Sequence, residues 1–110
     1  MKLYLDSANI QAIEELTKIY PIDGFTTNPT LCATENVDIE ALIRYGIGKR
    51  AFYQVLALDI DGMLEEAKWI RSLNSDAFIK IPATQAGFMA IRKLTRENIP
   101  VLAIAIYSLL

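Results

Sequence analysis

Five side chains in this sequence join a chemically useful type to a position in an apolar stretch: Asp6, Thr26, Asn28, Gln54 and Lys80. Lys80 makes the strongest demand. It lies within Phe78-Ile79-Lys80-Ile81-Pro82, where a charged and unpaired ammonium is expensive to bury. Two arrangements relieve that cost. One is an ion pair between Lys80 and Asp6. The other is an amine whose pKa is lowered by desolvation and which acts as a nucleophile. Spacing alone leaves both open. Three of the remaining four have ordinary readings as well. An Asp at a strand end is commonly a helix cap, Asn28 before Pro29 suits a turn, and Gln54 fits a satisfied buried amide.

Several other chemistries are excluded. The chain has no histidine, so a Ser-His-Asp triad and the commonest zinc sites are absent. Cys32 is the single cysteine. It cannot form an intrachain disulfide, no imidazole is present to activate it, and it reads as a buried or half-buried thiol. The formal net charge is −2 and no long block of one sign occurs, which gives no support to a nucleic-acid or anionic-membrane partner. No apolar run reaches membrane-spanning length. Met1-Lys2-Leu3-Tyr4-Leu5-Asp6 meets charge too early for a signal peptide. The expectation is a cytoplasmic protein.

The elements that must position the five residues follow from periodicity. Strands are expected over 3–6, 24–28, 51–58, 77–81 and 101–107, and helices over 9–20, 38–45, 59–73 and 84–98, with a loop through 30–36. Ile10, Ile13, Leu16 and Tyr20 share a face of the first helix. Met63, Ala67 and Ile70 share one of the third, and Phe88, Ile91 and Leu94 one of the fourth. The chain is 53% hydrophobic, as strands buried on both faces require. Unbroken strand–helix alternation means parallel strands with right-handed crossovers. An open doubly wound sheet would carry a glycine fingerprint after its first strand. Asp6-Ser7-Ala8-Asn9 stands there instead. The fold class is therefore α/β, of the (β/α)8 TIM-barrel type. Residues 1–110 are expected to form a single partial barrel domain with five strands and four helices out of eight of each, with no linker or second domain expected among them.

Pleating divides each strand into two faces. Leu5, Phe25, Thr27, Tyr53, Val55, Ile79 and Ile81 belong to the helix-covered side. Asp6, Thr26, Asn28, Gln54 and Lys80 then converge on the interior. Asp6, Asn28 and Lys80 lie toward the C-terminal strand ends, where barrel active sites form.

Three segments carry a family resemblance. Leu3-Tyr4-Leu5-Asp6-Ser7-Ala8 resembles the first strand of the small transaldolase/fructose-6-phosphate aldolase family. Gly24-Phe25-Thr26-Thr27-Asn28-Pro29-Thr30 is similar to its T-T-N-P signature, and Ile79-Lys80-Ile81-Pro82-Ala83-Thr84 to its active-site strand. The resemblance implies a class I aldolase in which Lys80 forms a Schiff base with a ketose, with no cofactor and no metal. It implies that Asp6 relays protons, that Thr26 and Asn28 hold donor hydroxyls, and that Gln54 positions the catalytic water. A Gln rather than a Glu at position 54 favours the fructose-6-phosphate aldolase type, with dihydroxyacetone as donor and glyceraldehyde 3-phosphate as acceptor, over a true transaldolase of the pentose phosphate pathway.

Two departures qualify that implication. Ile104 stands where the family usually has a threonine sharing the catalytic water, and its side chain makes no hydrogen bond. The last three strands, a phosphate-gripping arginine and any tyrosine acting on the water lie outside these residues. Arg44, Arg50, Arg71, Arg92 and Arg96 all read as helical or loop surface residues. A truncated, catalytically incompetent barrel fragment is thus a further alternative. The expected partners are a small sugar phosphate or dihydroxyacetone, together with a homo-oligomer or the missing barrel half to cover open strand edges.

Overall fold

Residues 1–104 of the chain are described by a computed structural model. Five strands, β1 (Tyr4–Asp6), β2 (Gly24–Thr26), β3 (Arg50–Gln54), β4 (Phe78–Pro82) and β5 (Val101–Ile104), form one sheet in the order β1-β2-β3-β4-β5. Every pairing is parallel. A doubly wound sheet reverses its strand order at a switch point, and this one does not. Sequential order with crossovers of one hand keeps the helices on one side. The result is an arc of a (β/α)8-type barrel. Residues 105–107 of the anticipated fifth strand lie outside the described residues.

The helices are α1 (Ile10–Ile19), α2 (Pro29–Thr34), α3 (Ile39–Tyr45), α4 (Ile60–Leu73) and α5 (Gln85–Arg96). Each starts at a polar residue whose side chain accepts an otherwise orphaned backbone N–H: Asn9, Asn28, Asp38, Asp59 and Thr84. Their inner faces pack Ile13, Leu42, Ile43, Met63, Ala67, Ile70, Ala90 and Leu94 against Phe25, Ala51, Tyr53, Ile79 and Ile81 of the sheet. Tyr53 also serves the helix layer. Its hydroxyl donates to the Leu42 and Ile43 carbonyls at 3.0 and 3.3 Å, at the end of α3.

Four expectations need correction. The loop over 30–36 contains helix α2, making five helices rather than four. It is short and has no fully buried residue, so it carries no apolar period; the Asn28 cap and Pro29 in the first turn define it. The third strand ends at Gln54, because the amides of Leu56 and Ala57 turn to the Glu66 carboxylate instead of a neighbouring strand. Tyr20 is the exposed C-cap of α1 and adds nothing to its buried face. On α5 the buried residues are Gly87, Ala90 and Leu94, while Phe88 is 57% exposed. A Cβ on Gly87 would lie 1.8 Å from the Pro82 carbonyl oxygen, so α5 meets β4 along a strip of small residues that only glycine permits at this point.

Candidate active site

The face of the sheet away from the helices carries the polar side chains Thr26, Gln54 and Lys80. At its N-terminal end Phe52 stacks between Tyr4 and Phe78, with ring centroids 5.3 and 4.7 Å apart. Arg50 is the first residue of β3, not a loop residue. Its guanidinium lies 5.5 Å from the Phe78 ring centroid and donates to the Tyr4 hydroxyl at 3.3 Å. Aromatic packing thus closes the lower part of this face. The polar residues sit above it.

Lys80 is 8% exposed. Gln54 and Leu102 are its register partners on β3 and β5. Its ammonium nevertheless donates to Thr26 Oγ1 at 2.9 Å and to the Thr27 carbonyl at 3.0 Å. Both acceptors are on or just beyond β2, two strands away, so the side chain leans across β3. No ion pair joins Lys80 to a carboxylate among the described residues. The ion-pair arrangement with Asp6 is therefore not the one adopted. Desolvation lowers the Lys80 pKa from its ordinary value, and the field of Asp6 partly opposes that. A desolvated ammonium held by two neutral oxygens is a stronger acid than that of a surface lysine, so its neutral amine is closer to availability.

Asp6 ends β1 beside Thr26 and is exposed. Together with Asn28, Pro29, Thr30, Leu31 and Gln54 it lines a cavity of about 380 Å³ at the C-terminal mouth of the arc. Asn28 has two uses. Its Oδ1 accepts the Leu31 N–H at 2.9 Å as the cap of α2, which leaves its NH2 for the mouth. Thr26 brings its hydroxyl to Lys80 as the pleat required. The structure thus brings Thr26 and Lys80 into direct contact and puts Asp6, Asn28 and Gln54 around one opening. A second cavity, of about 280 Å³, lies on the helix side, with Ile39, Ile43, Trp69 and Ile70 among its walls. It shares Asn28 and Gln54 with the mouth cavity, and Lys80 lines neither of the two.

Two participants escaped the sequence reading. The Thr27 carbonyl is a backbone group, and no residue type announces it. Glu66 lies on α4, twelve residues beyond Gln54, yet holds the backbone immediately after it; only the fold brings the two together. Ile104 lies opposite Pro82 in β5, on the same face as Lys80, and supplies no polar atom there.

Among the described residues no helix is long and apolar enough to cross a membrane, and no group of three or more His, Cys, Asp or Glu side chains is placed to hold a metal ion. Over residues 3–110 the chain matches the family described as Transaldolase/Fructose-6-phosphate aldolase.

Proposed function

The chain belongs to the transaldolase/fructose-6-phosphate aldolase family, and on that premise we propose that Lys80 is the imine-forming amine of a class I aldolase of the fructose-6-phosphate aldolase type. The observation that carries this reading is the state of Lys80: 8% exposed, bonded only to neutral oxygens, and with its pKa lowered by desolvation. The neutral amine adds to the ketose carbonyl, and the carbinolamine loses water to give an iminium. The carbon–carbon bond then breaks with its electron pair passing into the iminium. The adjoining hydroxyl gives up its proton as the aldehyde leaves. Protonation and hydrolysis of the enamine return the amine and free dihydroxyacetone.

The other residues take roles that suit their places. Asp6, exposed at the mouth, receives and returns protons. The Thr26 hydroxyl and the Asn28 NH2 hold donor hydroxyls. Gln54 orients the water of hydrolysis, since an amide hydrogen-bonds water without taking its proton. Glyceraldehyde 3-phosphate is the proposed acceptor in the synthetic direction. A transaldolase reading differs only in the fate of the enamine, which would attack a second aldehyde. The amide at Gln54 favours the aldolase.

An arc leaves this chemistry open on one side. Leu102, beside Lys80, is 46% exposed. Further strands, from additional chain or a second copy, are proposed to cover that face in the active enzyme. A site left uncovered in solution would be the incompetent fragment instead. The test is chemical trapping. Incubation with dihydroxyacetone or fructose 6-phosphate, borohydride reduction and peptide mass mapping should put a stable adduct on Lys80, and Lys80→Met should abolish it. An adduct on another lysine with Lys80 unmodified would overturn the assignment.

A further inference from the structure

The turn from β3 into α4 is held in an uneven way. Three consecutive amides follow Gln54. The Val55 N–H donates to the Lys80 carbonyl at 3.1 Å, which extends the β3–β4 ladder by one bond. The Leu56 and Ala57 N–H groups both donate to a single oxygen of Glu66, Oε2, at 2.6 and 3.2 Å. Apolar anchoring is confined to Val55, which is buried, and Ala57, which packs against the core, whereas Leu56 is 67% and Leu58 87% exposed. The start of α4 is pressed against it: a Cβ on Gly62 would come within 2.7 Å of the Ala57 Cβ. Glu66 itself is half-buried and borders the cavity that Gln54 also borders.

We infer that Glu66 is a positioning residue for the reaction, fixing the Leu56–Ala57 backbone so that Gln54 and the Lys80 strand keep their mutual geometry. A carboxylate accepting two backbone N–H groups makes charge-assisted hydrogen bonds, stronger than neutral ones. It also satisfies two donors that would otherwise face each other across a turn with no strand partner. Small displacements of a water-orienting group are costly in rate, and Gln54 is separated from the tethered amides by Val55 alone. No hydrogen bond or ion pair joins the carboxylate to Lys80 among the described residues, so its influence runs through the backbone. The inference rests on the reading of Gln54 as the group that orients the hydrolytic water.

The experiment compares Glu66→Ala, Glu66→Gln, Gln54→Ala and the Gln54→Ala/Glu66→Ala double variant in the whole chain. Hydrogen exchange at Leu56 and Ala57 is read by NMR together with the Gln54 side-chain amide signals. The persistence of the borohydride-trappable imine is followed after dilution from dihydroxyacetone. Glu66→Ala should speed exchange at both amides about tenfold or more, shift the Gln54 signals, and slow imine hydrolysis as Gln54→Ala does. The double variant should be no slower than Gln54→Ala, since the two act in series. Glu66→Gln, whose amide oxygen still accepts, should restore much of each effect; it also keeps the test informative if the alanine variant fails to fold. Faster exchange at Leu56 and Ala57 with unchanged Gln54 signals, in either Glu66 variant, or additive rate losses in the double variant, would overturn the inference. Absence of any imine in the parent would instead remove the reading of Lys80, and the exchange and Gln54 signals would then decide the positioning role alone.

Discussion

The two faces of the sheet are built from alternate residues of the same strands, yet they answer to different demands. On the helix side Phe25, Ala51, Tyr53, Ile79 and Ile81 are buried among helix side chains. On the other side Thr26, Gln54 and Lys80 alternate with them, and their polar atoms meet one another or the mouth. A shift of one residue in register would exchange the two sets. Apolar burial is therefore concentrated on one face and the candidate site on the other. Substitutions at adjacent positions should separate cleanly into losses of stability and losses of reaction.

The largest expected effect tests the covered face. Ile79→Ala removes a fully buried side chain between sheet and helices and should cost about 2–5 kcal/mol, read as a lowered midpoint in urea unfolding. Leu102→Ala, on the open face and 46% exposed, should stay within about 0.5 kcal/mol at low protein concentration. A Leu102 cost that grows with concentration would show that another copy covers this face. Equal costs at both positions when dilute would break the contrast.

Asn28 belongs to both demands, and two substitutions split them. Asn28→Ala removes the oxygen that caps α2 and should cost about 1 kcal/mol. Asn28→Asp keeps that oxygen and loses the NH2. Its stability should remain within about 0.5 kcal/mol of the parent, while a higher dihydroxyacetone concentration is needed for half-maximal trapping. If both variants trap like the parent, Asn28 is a cap and nothing more.

The contrast between faces was legible in the sequence because pleating is strict. Lys80 stands between Ile79 and Ile81, so strand alternation alone puts it opposite the helices. The long helices were legible from their apolar period for the same reason. What failed was local. The segment around α2 has no buried stripe, so only its cap and Pro29 betray it. On α5, Leu94 is buried and Ile91 packs against the core as the period requires, but Phe88 is exposed, because close approach to the Pro82 carbonyl selects Gly87 and Ala90 for the inner face. The apolar run from Val55 to Leu58 looked like more strand, and a carboxylate from α4 diverts its amides. At the site, the partners of Lys80 include a backbone carbonyl, which residue types cannot reveal.

Lys80→Met makes the contrast depend on pH. Burial holds the folded-state pKa of Lys80 below the ordinary lysine value of 10.5, so the folded chain favours the neutral amine more than the unfolded chain does. Stability contributed this way is complete above about 10.5 and is lost as pH falls through the folded-state value. Near neutral pH the charged amine is thus a burden, and Lys80→Met, similar in volume and uncharged, should be the more stable protein. The gap should narrow as pH rises toward 10.5. A gap that is constant across that range would mean the amine titrates alike in both states, and the desolvation argument for its reactivity would fall.

Gln54→Glu should change stability least and chemistry most subtly. Position 54 is half-buried at the mouth and is the register partner of Lys80. A carboxylate there favours the charged ammonium by Coulomb attraction and so raises the Lys80 pKa. Imine formation should slow near neutral pH and its pH profile should move upward. The carboxylate has a second effect, on the water. An amide orients water; a carboxylate also takes a proton from it, which changes how the enamine divides between protonation and attack on a second aldehyde. The ratio of transfer to cleavage should therefore rise, while urea unfolding moves by no more than about 0.5 kcal/mol. These two effects have separate signatures: one shifts a trapping profile along the pH axis, the other alters a product ratio at fixed pH. A shifted profile with an unchanged ratio would keep Gln54 beside the lysine and remove it as the residue that selects between the two reactions.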